Sequence, residues 1–196
     1  MVDEEKRATG MVVGMIAEGE EVVIGYGSLN ETGGPVPDGD SLFEIGSISK
    51  LFIGTLLADA VRRGEVNLDD PASMYLPSSV RMPEHDGTSI TLLDLATHTS
   101  GLPKEISSDQ PLTPENWVQE MYDFLSSYEL PYEPGKKAVY SNIGMTLLAH
   151  ILELRTGTMY EQLVEERIFQ PLGMKSTGFE PLPAMRPRLA TGHNSV

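Results

Sequence analysis

The sequence has 196 residues, 40% of them hydrophobic, which is enough for one sizeable core. Its 14 basic and 29 acidic residues give a net charge of −15, which disfavours binding to nucleic acid or to an anionic membrane. The absence of cysteine excludes a disulfide framework, a thiolate nucleophile and a cysteine-based zinc site, and no apolar run approaches the roughly 20 residues of a membrane span.

The N-terminal residues 2–7 are mostly charged and contain no apolar signal core. This pattern predicts either a cytoplasmic protein or a periplasmic or extracellular protein whose leader has been removed. Two β-prone runs follow, residues 11–17 and residues 22–27, joined by a short turn that contains Gly19. They predict an antiparallel hairpin.

The next element is the stretch around which the chain is organised, residues 43–58. Leu42, Phe43 and Ile45 alternate as in a short strand, and from Leu51 apolar residues recur at helical spacing until Gly64. Ser47 therefore lies where a strand or turn becomes a buried helix. Lys50 follows three residues later, so the two side chains are expected on one face of that helix.

A serine beside a lysine is a candidate nucleophile with its proton acceptor. The lysine can accept the proton only if desolvation or nearby cations hold its amine neutral, and an apolar helix offers a dry setting. The spacing Ser-x-x-Lys alone occurs by chance about once in a chain of this size. The alternative is a serine that caps the helix, with a surface lysine.

Further helices are predicted after this one. Thr91 and Asp94 form a capping box for a short helix, and Thr113 followed by a proline predicts the start of another. The helix that begins near residue 140 ends at a glycine, and Thr158 is the predicted cap of a helix that runs to about residue 169. Residues 180–196 are rich in proline and show no clear period.

Five motifs occur in a fixed order along the chain. They are Ser47-Ile48-Ser49-Lys50, the run 63–71 that ends in Asp69-Asp70-Pro71, the run 90–103 that contains His98-Thr99-Ser100-Gly101-Leu102-Pro103, Tyr140-Ser141-Asn142, and Pro171-Leu172-Gly173-Met174. In this order they resemble the class C β-lactamase and penicillin-binding-protein-like serine hydrolase family, which also contains D-alanyl-D-alanine peptidases and esterases. The resemblance covers residues 9–196.

The resemblance implies an α/β (α+β) fold of the β-lactamase/transpeptidase type, with a helical lobe and an antiparallel sheet. Residues 1–46 would supply the N-terminal strands of the sheet, residues 47–180 the mainly helical region, and residues 181–196 a tail leading towards further strands. Only the hairpin strands of that sheet are expected in this chain, as part of one composite and incomplete domain.

The resemblance also implies the role of each site residue. Ser47 would attack a carbonyl carbon to form an acyl-enzyme, with Lys50 as a proton acceptor. Tyr140 would be the second acid/base group, which requires cations that stabilise its phenolate. Asn142 would hydrogen-bond Lys50 and the amide of a bound acyl chain. The alternatives are a packing tyrosine at position 140 and a polar residue at a helix start at position 142.

Other polar residues fit structural roles better. His85, His98, His150 and His193 show no metal-ligand spacing, so no metal or other cofactor is expected. The interpretation of His98 is a structural residue of a turn, in preference to a base.

One family motif is missing from the sequence. The family has Lys-Thr-Gly or His-x-Gly on a strand beside the nucleophile, whereas Lys175-Ser176-Thr177-Gly178 has one residue too many and Ala190-Thr191-Gly192 lacks the cation. In the family that strand gives one of two backbone donors to the oxyanion hole, and losing such a donor lowers the rate by about 10²–10³. Without further strands the hairpin would keep an unpaired edge.

Three functions remain open. The chain is part of an acyl-transfer hydrolase that needs a C-terminal complement, or it is a weak esterase by itself, or it is a catalytically incomplete homologue that binds acyl ligands or a protein partner. The expected substrate is a small acyl compound, either an ester, a β-lactam or a D-Ala peptide, and the sequence does not rank them. The expected macromolecular partner is a complementary C-terminal polypeptide or a second copy of the chain.

Overall fold

The computed structural model describes residue 2 and residues 8–31, 33–106 and 111–192. The chain forms two compact units, of which one comprises Met1–Ile48 with Met174–Val196 and the other comprises Ser49–Gly173. His193, one of the four histidines of the sequence, lies outside the described residues. Among the helices of the described ranges, none has both the length and the apolar character needed to cross a bilayer.

The first unit contains the predicted hairpin. Strand β1 (Gly10–Ala17) pairs antiparallel with β2 (Glu20–Gly27). The two turn residues, Glu18 and Gly19, both have positive φ, at 53° and 86°. A two-residue turn with both central residues in this region matches the right-handed twist of the strands, so the turn fixes the register of the hairpin.

Three cross-strand pairs place six apolar side chains on one side of the hairpin, which we call the apolar hairpin face. The pairs are Met11 with Tyr26, Val13 with Ile24, and Met15 with Val22. All six side chains are between 40% and 61% exposed. Side chains at paired positions lie on the same side of an antiparallel ladder, so this face is a continuous apolar surface.

The other side of the hairpin lies against the segment that contains Pro37. A Cβ atom built at Gly25 would overlap the carbonyl oxygen of Pro37, whereas one built at Gly14 would have no neighbour within 4 Å. Glycine at position 25 thus allows the backbone of the Pro37 segment to approach the strand closely.

The short strand predicted at residues 42–45 is wrong. Leu42 forms only an isolated parallel bridge with Leu189, and Phe43 and Ile45 are exposed. Alternating residues form a strand only where a neighbour continues the ladder, and here a 3₁₀ turn begins at Gly46.

The second unit is a helical bundle. Its helices are α1 (Lys50–Arg62), α2 (Leu92–Ala96), α3 (Trp117–Ser127), α4 (Asn142–Thr156) and α5 (Tyr160–Val164), with a π-helical turn at Glu165–Phe169 and a small ladder of β3 (Glu84–His85) with β4 (Thr88–Ser89). Helix α4 packs against α1, α2 and α5. The fully buried side chains include Leu56 of α1, Leu95 of α2, Met121 of α3 and Leu147, Leu148 and Ile151 of α4.

Local signals set the start of α2 and the end of α4. Thr91 and Asp94 form the predicted capping box of α2, and Gly157 ends α4 in the left-handed conformation at φ 69°. The predicted start of α3 at Thr113 is too early, because residues 114–116 form a turn before the helix begins at Trp117.

The predicted capping box at Thr158 is also wrong. The backbone N–H of Thr158 donates to the side chain of Thr156, and α5 begins two residues later. The first backbone N–H of α5, at Tyr160, donates instead to the Glu153 carboxylate at 2.7 Å. A tertiary contact from α4 has thus replaced the local cap.

Candidate active site

The Ser47 motif lies where the sequence predicts it, at the entry to a buried helix. Ser47 is an exposed residue of the 3₁₀ turn Gly46–Ser49, and this turn continues directly into α1 at Lys50. The inner face of α1 is apolar, since Ile53, Leu56, Leu57 and Ala60 are buried. Lys50 thus begins a helix whose next turns lie in the core.

Lys50 and Tyr140 come together within the helical unit. The Lys50 Nζ atom lies 5.0 Å from the centre of the Tyr140 ring, a distance at which an ammonium is attracted to an aromatic face. Lys50 is half-buried, whereas Tyr140 is 42% exposed. Two of the predicted site residues, 90 positions apart in the sequence, are therefore neighbours, and the ring of Tyr140 remains accessible.

The backbone after Tyr140 is held by a set of hydrogen bonds around Ser141. Ser141 is the N-cap of α4, and its hydroxyl accepts from the N–H of Gly144 at 2.9 Å while it donates to the carbonyl of Pro103 at 2.7 Å. On the other side of Tyr140, the N–H of Val139 donates to the carbonyl of His98 at 2.8 Å. The tyrosine thus follows one anchored residue and precedes another.

His98 makes a third contact with this segment, and this contact was not predicted. Its Nδ1 atom accepts a hydrogen bond from the backbone N–H of Ser141 at 3.2 Å, and its ring centre lies 4.7 Å from that of Tyr140. Burial, together with the positive charge of Lys50, lowers the pKa of His98 below its usual value. The positive φ of His98, at 61°, agrees with the predicted turn.

Asn142 has a different partner from the one the family resemblance implies. Its Nδ2 group donates to the carboxylate of Glu105, and its backbone N–H donates to the carbonyl of Lys104 at 2.9 Å. The Oδ1 atom is buried and has no hydrogen-bond partner among the described residues, so the expected bond to Lys50 is not formed.

An apolar cavity of about 210 Å³ lies beside Asn142. Its walls include Leu112 together with Trp117 and Met121 of α3, and Ile143 of α4. The polar residues among those that line it are Glu105, Asn142 and Thr146. A cavity with apolar walls and a few polar groups is suited to a small organic group.

A second polar set lies between α3 and α4. The Tyr122 hydroxyl is 2.7 Å from His150 Nε2, and His150 Nδ1 is 3.1 Å from the Glu153 carboxylate. Burial raises the pKa of Tyr122 above its usual value. This set connects the two helices through partly buried polar groups. In the described part of the chain no cluster of three or more acidic or histidine residues could hold a metal ion.

Comparison with known proteins identifies the family. A protein-family profile described as Beta-lactamase matches residues 2–195. The D-alanyl-D-alanine-carboxypeptidase/endopeptidase AmpH of Escherichia coli K12 is 38% identical over 185 residues, which are 93% of this chain and 48% of that protein. A beta-lactamase of the same organism is 30% identical over 195 residues, which are 97% of this chain and 48% of that protein.

Solved structures give the same result for the fold. A beta-lactamase/D-alanine carboxypeptidase from Yersinia pestis, solved with citrate, superposes with a TM-score of 0.84 at 34% identity, covering 94% of this chain and 54% of the other. A class C beta-lactamase from Rhodobacter sphaeroides superposes with a TM-score of 0.83 at 35% identity, covering 98% and 52%. The chain spans about half the length of these relatives. The chain belongs to the beta-lactamase family.

Proposed function

We propose that the chain supplies the nucleophile and the proton-transfer groups of a serine hydrolase that acts through an acyl-enzyme. Its substrate is an ester, an amide or a β-lactam carbonyl. The observation that carries the proposal is the contact of Lys50 with Tyr140, in which Nζ lies 5.0 Å from the ring centre. Lys50 itself directly follows the turn that contains Ser47. Relatives named as beta-lactamases and as a D-alanyl-D-alanine carboxypeptidase support it.

In the proposed reaction the Ser47 oxygen attacks the carbonyl carbon, and the serine proton passes to Lys50 or Tyr140. The tetrahedral intermediate collapses, the bond to the leaving group breaks, and the leaving atom receives that proton. Water then attacks the carbonyl carbon of the acyl-enzyme, and its proton passes through the same side chains to the Ser47 oxygen. The acid product is released and Ser47 regains its proton.

The electrostatics of the pair suit this role. An unperturbed tyrosine has a pKa near 10, so a phenolate at neutral pH needs positive charge beside it. The Lys50 ammonium over the Tyr140 ring provides such a charge. In turn, passing the Lys50 proton to that phenolate leaves Lys50 as the neutral amine that accepts the proton of Ser47.

Substrate recognition is proposed for the region around Asn142. The Asn142 amide can exchange its bond with Glu105 for one to the amide of an acyl chain, and the apolar cavity beside it can receive the rest of that chain. We further propose that the remaining half of the family's length, as a complementary polypeptide, supplies the second oxyanion donor. A missing donor lowers the rate by about 10²–10³.

Labelling with an active-site probe tests the proposal. The chain, alone and mixed with a polypeptide that carries the C-terminal half of a family member, is treated with a fluorescent penicillin or a fluorophosphonate, and the labelled peptide is mapped by mass spectrometry. We expect the label on Ser47, no labelling of Ser47→Ala, and normal labelling of the control Ser49→Ala in the same turn.

Two results would refute the proposal. One is a label on another residue, or labelling that survives Ser47→Ala. The other is saturable binding of a penicillin without any covalent adduct in either mixture, which would favour a catalytically incomplete homologue that binds acyl ligands. A covalent adduct with slow release in the chain alone, and faster release in the mixture, supports both the nucleophile and the complement.

A further inference from the structure

His98 occupies a turn where its own backbone conformation is unfavourable. The residue follows α2 and has a φ of 61°, in the region that non-glycine residues rarely adopt. Histidine tolerates this region better than most residues with larger side chains, but glycine adopts it freely. The turn alone would therefore favour glycine, and what histidine adds at this position is the contacts of its imidazole ring.

The ring contacts two consecutive residues of the candidate site. The backbone N–H of Ser141 can only donate, so His98 Nδ1, at 3.2 Å, must be an unprotonated acceptor and the ring proton lies on Nε2. The ring centre is 4.7 Å from that of Tyr140, with the planes inclined by 39°. One neutral side chain thus contacts both the Tyr140 ring and the peptide that follows it.

Burial and the positive charge of Lys50 favour the neutral form of this imidazole. Its burial and the Lys50 ammonium both lower the pKa of His98 from its usual 6.5. Besides Lys50, the titratable group that contacts the ring is Tyr140. The carboxylate of Asp94, in the helix α2 that precedes His98, accepts hydrogen bonds from Thr91 and Thr99. Protonation of His98 would remove the acceptor for Ser141 and would place a second cation near Lys50.

We propose that His98 is a positioning residue, whose neutral imidazole holds the Tyr140 ring and the Ser141 peptide in the arrangement required for proton transfer. This inference rests on the proposed function and assigns no chemical step to His98. Its physical basis is that a small displacement of an acid/base group lowers the rate of a reaction by up to about 10²-fold. His98 acts on the reaction through Tyr140.

Two substitutions distinguish the effect of the imidazole ring from the effect of the backbone conformation of the turn. His98→Gly keeps the backbone conformation but removes both contacts. His98→Asn also tolerates a positive φ and keeps a side-chain acceptor near the position of Nδ1, but it has no group that titrates near neutral pH. With the fluorescent penicillin as probe, we expect His98→Gly to lower the rate of Ser47 acylation by about 10–100-fold. His98→Asn should recover most of that loss at neutral pH, with similar probe affinity in all three proteins.

The pH dependence distinguishes positioning from a purely structural role. The wild-type acylation rate should fall on the acid side with an apparent pKa below 6.5, the value from which His98 is lowered, and this fall should be absent in His98→Asn. The inference is overturned if both variants lose stability but acylate at the wild-type rate per folded molecule. It is equally overturned if His98→Asn keeps the acid-side fall.

Nuclear magnetic resonance gives a readout that needs no catalysis. In the isotope-labelled chain, the amide signal of Ser141 should shift with the same pKa as the ring signals of His98, and the shift should be lost in His98→Asn. If the wild-type chain forms no adduct, the proposed function fails and this titration alone decides the inference. A Ser141 signal that does not follow the titration of His98 refutes it.

Discussion

The hairpin and the helical unit use apolar residues in opposite ways. In the hairpin, Ile16 is 76% exposed and the six side chains of the apolar hairpin face are all exposed, whereas Ile151 of α4 is fully buried among the other helices. Both segments carry the pattern of a half-buried or buried element. The difference shows that a sequence pattern can indicate that a segment needs to be buried, but does not indicate which surface covers that segment.

The largest expected effect concerns chemistry and lies in the helical unit. Because this unit packs its own core, a change in the candidate site should alter the reaction while the fold persists. Tyr140→Phe should lower the acylation rate by about 10²–10⁴-fold, the range for a lost acid/base group, and Lys50→Ala should do the same. The measurements are probe labelling kinetics and a thermal unfolding curve for each variant.

A matched control exists for Tyr140. Tyr132 also has a lysine over its ring, with Lys137 Nζ 5.6 Å from the ring centre. Tyr132→Phe should therefore leave the acylation rate unchanged, since only the Lys50 pair belongs to the proposed site. If Tyr140→Phe unfolds the protein but its folded fraction labels normally, Tyr140 is a packing residue.

The second effect is on stability and compares two isoleucines. Ile151→Ala removes a fully buried side chain from α4 and should lower the free energy of unfolding of the helical unit by about 2–5 kcal/mol. Ile16→Ala, on the exposed hairpin, should change the free energy of unfolding of the chain by less than about 0.5 kcal/mol. Urea unfolding followed by circular dichroism measures both. Equal losses in the two variants would show that the hairpin is buried in solution.

Features encoded by neighbouring residues could be predicted from the sequence, and those that depend on distant residues could not. The hairpin turn at Glu18 and Gly19, and the glycine that ends α4, were predicted because turn and cap chemistry lies within a few residues. The cap of α5 was missed because it comes from Glu153, seven residues before Tyr160.

The same limit applies to the candidate site. The expectation that the side chains of residues 47 and 50 share one face came from helical spacing, but the expected position of Tyr140 beside Lys50 came from the family resemblance and not from any local pattern. The contact of His98 with Ser141 joins residues 43 positions apart, so no local pattern indicates it. Asn142 was expected to bond Lys50, and its amide instead donates to Glu105, which motif matching did not single out.

The third effect tests how tightly the covered side of the hairpin is packed. Gly25→Ala would place a methyl group on the carbonyl oxygen of Pro37, so the strand or the Pro37 segment must move. We expect a loss of about 1–3 kcal/mol in the local stability of the hairpin. Gly14→Ala, whose methyl would meet nothing within 4 Å, should be neutral. Amide hydrogen exchange of β1 and β2 measures both, and equal protection in the two variants would contradict the close approach at Gly25.

The smallest expected effect concerns what covers the apolar hairpin face. Exposed apolar surfaces of this kind mark sites of association, and within the described ranges the hairpin is a sheet of only two strands, whose outer edges are the kind that pair with other chains. We therefore expect the 196-residue chain to self-associate, or to bind a complementary C-terminal polypeptide through this face. Ile24→Lys, at the centre of the face, should weaken association by about tenfold, which corresponds to about 1.4 kcal/mol.

Ile16→Lys is the matched control, because Ile16 lies on the opposite side of the same ladder and is already largely exposed. Light scattering over a range of concentrations, with and without the complementary polypeptide, gives the dissociation constants. Equal weakening by both lysines would show that association does not depend on the apolar hairpin face. A wild-type chain that remains a monodisperse monomer at all concentrations and ignores the added polypeptide would mean that the apolar hairpin face needs no partner.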